Sequence, residues 1–535
     1  MTAHADTVHG MLQATASRSP GADAAVFPSD RSTYAELVAQ TVATAARLRA
    51  LGLGPGEPIG LMVPGSAAHV ALLIGTMRIG ALPVPLNGRM KPHELEYLVH
   101  HSQMRFLLCD EGAAALAAQI DMGECAVVRV AADGSFEHPD APIAGEEIAR
   151  LIESGELDRL EAAVKPEDPS IILYTSGTTS HPKGVVHSHL SLAAEGRNIA
   201  TRLQMSSADR FWSPLPMYHC GGIVTMLGAF ASGAAFCHVG AFDPTVALDQ
   251  LERERCTIAF PAFETIWLAV LDNPRFAQAD LSALRTVINV GVRERLRTMQ
   301  ERLPTATQIS CFGLTESCGF MCMGLTEDPL EARISTSGQP LPGMEVRAVD
   351  PETGRDAAPG EIGEALFRGV SRILRYHRDP DYTAETIDAD GWFHSGDLIR
   401  FDESGRLSFV GRLKDMLKVG GENVSAAEVE DLLATHPAIK IVQVVAAPDA
   451  RLTEVACAFV ELRDGASATE TELIEHCLGE ISTFKVPRYV RFVTEWPMSG
   501  TKIQKFRLRE RIAGELAAAG ITEAPRLHSP AGTAR

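Results

Sequence analysis

The 535-residue chain has no CxxC pair, no basic-then-apolar leader and no stretch of about twenty uncharged apolar residues. Each absence removes a class of function. The ten cysteines are scattered. Cys318 and Cys322 are the nearest two, and no second cluster completes a zinc site, so reduced thiols in a core are expected. Residues 1–20 lack a signal-peptide pattern. The apolar run 69–86 is interrupted by Arg78, which leaves no integral membrane segment, and a soluble cytoplasmic protein follows. Positive charge is short as well. Lys and Arg number 49 against 68 Asp and Glu, a net charge of −19. That balance argues against a nucleic-acid partner, because affinity for a phosphate backbone comes from Lys and Arg. An acidic surface also repels free nucleotide, so a nucleotide site must gather local positive charge or recruit a metal. Length excludes a single ordinary core and predicts two or more domains. The 45% hydrophobic content is that of a soluble globular protein.

What the chain does have is concentrated at residues 170–184. Ser170 to Leu173 reads as a short buried strand. Thr175, Ser176, Thr178, Thr179 and Ser180 then crowd hydroxyls around Gly177, and Lys183 and Gly184 close the stretch. A flexible loop of this kind can turn its N–H groups inward around an anion, with hydroxyls as further donors and a lysine as a mobile charge. The fitting ligand is a polyphosphate. The order Lys183-Gly184, preceded by Pro182 and followed by the strand-like Val185-Val186, differs from the Gly-Lys-Ser/Thr loop that opens a helix. A helix N-terminus is therefore not expected to be the cradle.

Residues 174–184 resemble the phosphate-loop signature of the adenylate-forming enzymes, a superfamily of acyl-CoA synthetases, peptide-synthetase adenylation domains and luciferases. The resemblance extends over about residues 25–510 and points to the acyl-CoA synthetase branch. It implies that Thr175, Ser176, Gly177, Thr178, Thr179 and Lys183 hold the β- and γ-phosphates of ATP. Residues 213–222, Ser-Pro-Leu-Pro-Met-Tyr-His-Cys-Gly-Gly, resemble the family's aromatic-His motif. His219 would then contact the acyl end or gate its tunnel, with Gly221 and Gly222 leaving space. The segment 290–293 aligns with the family's Gly-Gly-Ala-Pro along the adenine, and only Gly291 matches. Cys311 to Glu316 is similar to the motif Tyr-Gly-x-Thr-Glu. Phe312 offers a stacking face beside Gly313, Thr315 is implied on the α-phosphate, and Glu316 is implied as the Mg²⁺ ligand. Asp397 matches the ribose-binding Asp and Arg412 a second ribose contact. Gly420 and Gly421 match the loop that borders the pantetheine channel of CoA. Residues 497–505 resemble the terminal lysine loop, where Lys502 is the catalytic candidate and Lys505 a weaker one.

Patterning along the chain agrees with an α/β fold. Thr33 and Glu36 form a capping-box pattern ahead of a helix carrying Leu37, Val38, Val42, Ala45 and Leu48. Residues 58–63 read as a strand, 66–79 as a helix capped by Ser66, and 81–86 as another strand. Residues 110–168, Ala-rich and acidic, read as peripheral. Turn-rich glycines near 338–343 and 360–364 mark a small β subdomain. The architecture that the resemblance implies is a large N-terminal domain of layered α/β subdomains plus that β subdomain (1–410), a hinge at 411–415 centred on Lys414, and a small mobile α+β lid (416–535). The tail from about 519 is Ala-, Pro- and Gly-rich and is expected to be disordered.

The resemblance implies an ATP-dependent acid–thiol ligase of fatty-acid and lipid metabolism. A carboxylate attacks the α-phosphorus of ATP, and the acyl-adenylate passes its acyl group to CoA. The alternative is a stand-alone acyl-AMP ligase that loads a carrier protein. Amino acids are disfavoured because residues 217–222 offer no acid for an ammonium, with Glu264 the one candidate elsewhere. Cys220, Gly221, Gly222, Ala262 and Val290 suggest a roomy apolar tunnel for an acyl or aryl acid. Nothing in the sequence sets an oligomeric state.

Overall fold

Local signals and structure agree over the first hundred residues. Thr33 and Glu36 cap each other at the start of helix Tyr34–Ala50, with Glu36 accepting from the Thr33 N–H at 2.8 Å. The buried stripe of this helix is Tyr34, Leu37, Thr41, Thr44, Ala45 and Leu48, with Val38 and Val42 half-buried at its edge. Ser66 caps helix Ala67–Arg78. A computed structural model describes residues 6–131, 134–137, 145–175, 182–291, 293–420, 422–499 and 502–527. The chain divides into two compact units.

The first unit comprises Met1–Gly291, Arg295–Val346 and Phe367–His394. It contains a seven-stranded sheet in the order Thr307–Ile309, Thr286–Val290, Ile258–Phe263, Arg210–Ser213, Ala235–His238, Asp23–Val26, Arg31–Thr33. Its pairs are parallel except the last. The buried runs of its central strands read as continuous apolar sequence for that reason. A five-stranded sheet runs Leu82–Pro85, Pro58–Met62, Phe106–Cys109, Ala126–Val130, Phe136–Glu137. Residues 110–168 are thus more than periphery, since two of these strands come from them.

That stretch also supplies a counter-charge. Arg78, which breaks the apolar run, is 6% exposed. Its guanidinium donates to Thr41 Oγ1 at 3.1 Å and to Gln13 Oε1 at 3.4 Å. It pairs at 2.6 Å with Glu161 of helix Glu156–Ala163. The arginine is therefore a buried, satisfied cation inside an otherwise apolar helix.

Helices His189–Arg202 and Cys220–Ser232 approach closely at Gly196, where a Cβ would lie 2.7 Å from the Leu227 carbonyl oxygen. At the end of the first helix the Arg202 guanidinium donates to the carbonyls of Met323, Gln339 at 3.1 Å and Pro340 at 2.8 Å. It thereby fastens the small sheet Cys311–Phe312, Cys322–Met323, Gln339–Pro340.

The second unit comprises Val292–Glu294, Arg347–Leu366 and Ser395–Arg535. Strand Phe393–Phe401 pairs antiparallel with Leu407–Arg412. Beyond them, Glu422–Ser425, Met416–Val419, Thr453–Leu462 and Ile439–Asp449 form a sheet joined by Tyr489–Phe492. Helices Ala426–Ala434 and Lys505–Ala518 pack on it through Val429, Leu433, Leu508 and Ile512. Residues 519–527, assigned to a disordered tail by composition, instead pack back onto this core. Ala524 is 5% exposed and its N–H donates to Asp449 Oδ2 at 2.5 Å. The Ala450 N–H reaches the Thr522 carbonyl at 2.8 Å. Apolar contacts outvote composition here, with Leu527 against the same core.

Glu161→Ala strands the Arg78 cation and is expected to cost about 3–5 kcal/mol, read as a lower urea midpoint. Arg78→Met added to Glu161→Ala is expected to recover most of that loss.

Candidate active site

The phosphate-loop candidate is built on a hairpin. Strand Pro169–Thr175 pairs antiparallel with Lys183–Ser188, with Thr175 opposite Lys183. The two ends of the loop are therefore held side by side. Ser176, Gly177, Thr178 and Thr179 lie outside the described residues, as does Gly421. The hairpin confirms that strands, not a helix start, flank the loop. A third strand, Arg375–Tyr376, pairs with Lys183–Ser188.

Around this hairpin stands a turn at Thr315–Ser317. Gly313 is required there, because a Cβ would fall 2.1 Å from the Gly319 carbonyl oxygen. Phe312 ends the strand paired with Cys322. The Thr315 carbonyl accepts from Nε2–H of His187 at 2.7 Å. His187 is fully buried, and burial pushes its pKa down to about 4, so the neutral ring is the donor. The Glu316 carbonyl accepts from the Ile373 N–H at 2.8 Å, and its side-chain Oε1 accepts from the Tyr376 hydroxyl at 2.9 Å. Burial, reinforced by that carboxylate, pushes the Tyr376 phenol well above its ordinary range. The phenol therefore stays protonated and keeps donating. Lys183 Nζ lies 3.0 Å from the centroid of the Tyr382 ring.

His219 is the N-cap residue of helix Cys220–Ser232, beside the Tyr218 ring. The next residues carry the helix to the turn, since a Cβ on Gly319 would touch Val224 at 3.1 Å and the Cys220 sulfur at 3.4 Å. The two glycines after Cys220 do not leave open space. At Gly221 a Cβ would lie 2.4 Å from Leu215 Cδ1, and at Gly222 it would lie 2.6 Å from the Leu215 and Pro216 carbonyl oxygens. They exist for close backbone approach. The Phe260 and Phe320 rings pack 4.9 Å apart, tilted by 55°. The strand bulges between Ala259 and Ala262, and Ala262 adopts φ 63°. Val290 is 43% exposed. Gly291 is again a close approach, with Glu264 Oε2 2.7 Å from the Cβ it lacks. Glu264 pairs with Arg295. The one acid considered for a substrate ammonium is thus committed to a neighbouring guanidinium.

In the second unit Asp397 is not an exposed turn residue. It is 3% exposed, sits in strand Phe393–Phe401 directly opposite Arg412, and receives Arg412 Nε at 3.0 Å. The two ribose candidates are therefore adjacent. Lys414 lies in a single 3₁₀ turn, Leu413–Asp415, and burial lowers its pKa. A cleft of about 210 Å³ is lined by Arg412, Asp415, Ala426, Glu430 and Lys505. Gly420 has φ 61° and its N–H donates to the Leu452 carbonyl at 2.7 Å. Lys502 pairs through its backbone with Ser499 in a two-stranded ribbon. Lys505, the weaker catalytic candidate, is bound at 2.6 Å to the half-buried Glu430 carboxylate. Burial raises the Glu430 pKa despite this partner.

The profile of the AMP-binding enzyme family matches residues 12–377, and that of the AMP-binding enzyme C-terminal domain matches 428–502. The chain belongs to the AMP-binding enzyme family. Within it, the chain is 34% identical to YngI of Bacillus subtilis (strain 168), a protein named provisionally as an acyl-CoA synthetase, over 94% of this chain and 97% of that one. It is 32% identical to the mitochondrial medium-chain acyl-CoA ligase ACSF2 of Bos taurus, over 95% and 88% of the two chains. Among solved structures, ATP-bound MatB from Rhodopseudomonas palustris superposes with a TM-score of 0.82 at 26% identity, covering 95% of this chain and 99% of that one. The anthranilate CoA ligase AuaEII with anthranoyl-AMP gives 0.83 at 26%, covering 96% and 98%. The protein is thus an adenylate-forming enzyme of the acyl-CoA synthetase branch, an AMP-forming ligase with the family's large N-terminal and small C-terminal domains.

Residues that the sequence reading passed over are His187, Tyr376 and Tyr382. The chain has only seven tyrosines, and two stand six positions apart just after the glycine-marked strands, which is the signal that could have found them. A depressed His187 pKa means the unfolded chain binds the proton first. Stability is full above about pH 6.5 and is lost as pH falls towards 4, by about 3 kcal/mol for this ring. His187→Gln keeps an N–H donor without titrating. Urea unfolding at pH 7 and pH 4 is expected to show a smaller loss in the variant by about that amount.

Proposed function

We propose that the protein is an ATP-dependent acyl-CoA ligase, cytoplasmic, acting on an apolar acyl or aryl acid through an acyl-adenylate. The observation that carries this reading is the fastening of the phosphate-loop hairpin to the Glu316 turn through Tyr376, which serves the loop and the carboxylate at once. The names of the relatives support CoA as acceptor, and a medium-chain and an aromatic acid stand among their substrates. All ten cysteines are buried free thiols, which suits a reducing compartment. Among the described residues no helix is long and apolar enough to cross a membrane.

The residues suit Mg²⁺ carried in with the nucleotide. One carboxylate plus substrate phosphates is a common Mg²⁺ site, and the Tyr376 hydrogen bond to Oε1 orients the Glu316 carboxylate. Bound there, the ion supplies Lewis-acid stabilisation of charge on the α-phosphate. On this reading, Thr175 to Thr179 and Lys183 grip the β- and γ-phosphates. Thr315 donates to the α-phosphate, while Phe312 and Gly313 border the adenine with Gly291. Asp397 accepts from the ribose diol, and Arg412, paired with Asp397, makes the second ribose contact. Adenylation builds charge on phosphate oxygens, so positioned cations matter more than proton transfer. Lys502 bridges the substrate carboxylate and the α-phosphate, and His219 meets the acyl end. The second half-reaction needs Lys502 withdrawn, by rotation of the lid (416–535) about Lys414, so that the CoA thiol can pass Gly420 and Gly421. Loading of a carrier protein in place of CoA is the second reading. The Glu264–Arg295 pair speaks against amino acids.

Pyrophosphate release is to be followed with ATP and Mg²⁺ over a panel of carboxylic acids. Turnover that needs both an apolar acid and CoA is expected. A single stoichiometric burst indifferent to CoA would favour the carrier-loading reading, and no release with any acid would reject catalysis. Lys502→Ala is expected to lose roughly 100- to 1000-fold in adenylate formation while still transferring the acyl group of a supplied acyl-adenylate to CoA. Lys414→Pro is expected to form the adenylate and stall at thiol transfer.

A further inference from the structure

We propose that Tyr382 is the positioning platform of Lys183, holding its ammonium ready for the polyphosphate. The inference rests on reading the Thr175–Lys183 hairpin as part of an ATP site. Lys183 Nζ stands 3.0 Å from the centroid of the Tyr382 ring and 6.0 Å from that of Tyr376. Among the described residues no carboxylate pairs with Lys183, so the ring face is what holds it.

The platform is fixed on every side. The Tyr382 N–H donates to Asp379 Oδ1 at 3.1 Å, which caps helix Pro380–Thr386. The Tyr376 and Tyr382 rings pack at 4.8 Å. The Tyr376 N–H donates to Thr383 Oγ1 at 2.9 Å, its hydroxyl to Glu316, and its strand is in register with Val185, two residues from Lys183. One short segment, 376–383, therefore sets the position of both the loop lysine and the Glu316 carboxylate.

A lysine on a four-carbon stem otherwise surrenders its rotamer freedom when it meets a phosphate. The face of an aromatic ring attracts the ammonium without consuming it. One N–H can point into the ring while the other two remain for phosphate oxygens. A phenylalanine offers the same face, whereas a leucine of similar bulk offers none.

The test compares wild type, Tyr382→Phe and Tyr382→Leu. The chain has nine lysines, so ¹³C-methylation of their amines gives a short list of NMR signals, with that of Lys183 identified by its loss in Lys183→Arg. The Lys183 signal is expected to be shifted upfield by the ring in wild type and Tyr382→Phe, and to return to the ordinary lysine position in Tyr382→Leu. Calorimetry on unmethylated protein with ATP and Mg²⁺ is expected to show Tyr382→Leu weaker by roughly three- to tenfold, the range such a contact sustains, with Tyr382→Phe close to wild type. In turnover the loss is expected to fall on the KM for ATP. An unshifted Lys183 signal in wild type overturns the proposal, and so does equal ATP affinity in Tyr382→Leu once the shift is gone. Wild type that shows the shift but binds no ATP overturns the nucleotide reading, and with it the role towards a polyphosphate, while the lysine–ring contact stands.

Discussion

The first unit's site hangs on three backbone hydrogen bonds made by one segment. The Ile373 N–H goes to the Glu316 carbonyl at 2.8 Å, the Leu374 N–H to the Val186 carbonyl at 2.9 Å, and the His377 N–H to the Gly184 carbonyl at 2.7 Å. A loop of hydroxyls and a carboxylate on a separate turn have no reason of their own to stay in register. Bonds of this kind are modest singly and expensive to break in a buried setting. Here they come in sequence along one strap, so the hairpin and the turn cannot drift apart without breaking several at once. The strap is itself anchored by Ser371, whose hydroxyl donates to the buried Glu195 at 2.8 Å. Burial raises the Glu195 pKa, and the Ser371 hydrogen bond opposes that rise.

Much of this arrangement was legible in order and not in depth. The hairpin, the capped helices Tyr34–Ala50 and Ala67–Arg78 and the alternation of strand and helix follow from local chemistry, which a linear reading sees. The partners of the site residues do not. His187 meets Thr315 across 128 positions, Tyr376 meets Glu316 across 60, and Ser371 meets Glu195 across 176. No local pattern encodes such contacts. Gly221 and Gly222 illustrate the complementary error. A glycine pair looks like vacant room in sequence, but the room at both positions is filled by the Leu215–Pro216 segment folding back. Residues 519–527 differ in the opposite sense, since disorder-prone composition conceals burial that only tertiary packing creates.

The departures from family pattern also gain physical form. Where Gly-Gly-Ala-Pro is usual, Gly291 stands against Glu264, which Arg295 neutralises. The bulge at Ala262, with a left-handed backbone that a side chain pays for, lies on the neighbouring strand. The Glu264 pair and the Ala262 bulge thus lie on the neighbouring strands Ile258–Phe263 and Thr286–Val290 or at their ends, while Phe312 stands where the family's motif has Tyr.

Lys505 and Glu430 divide the C-terminal unit's lysines into two kinds. The Lys505 ammonium is matched to a carboxylate that burial already disfavours, whereas Lys502, three residues earlier, belongs to a two-residue ribbon strand. Neutralising the Lys505 ammonium would therefore leave a carboxylate that burial already disfavours without its counter-ion, so the charge of Lys505 contributes to the stability of the C-terminal unit.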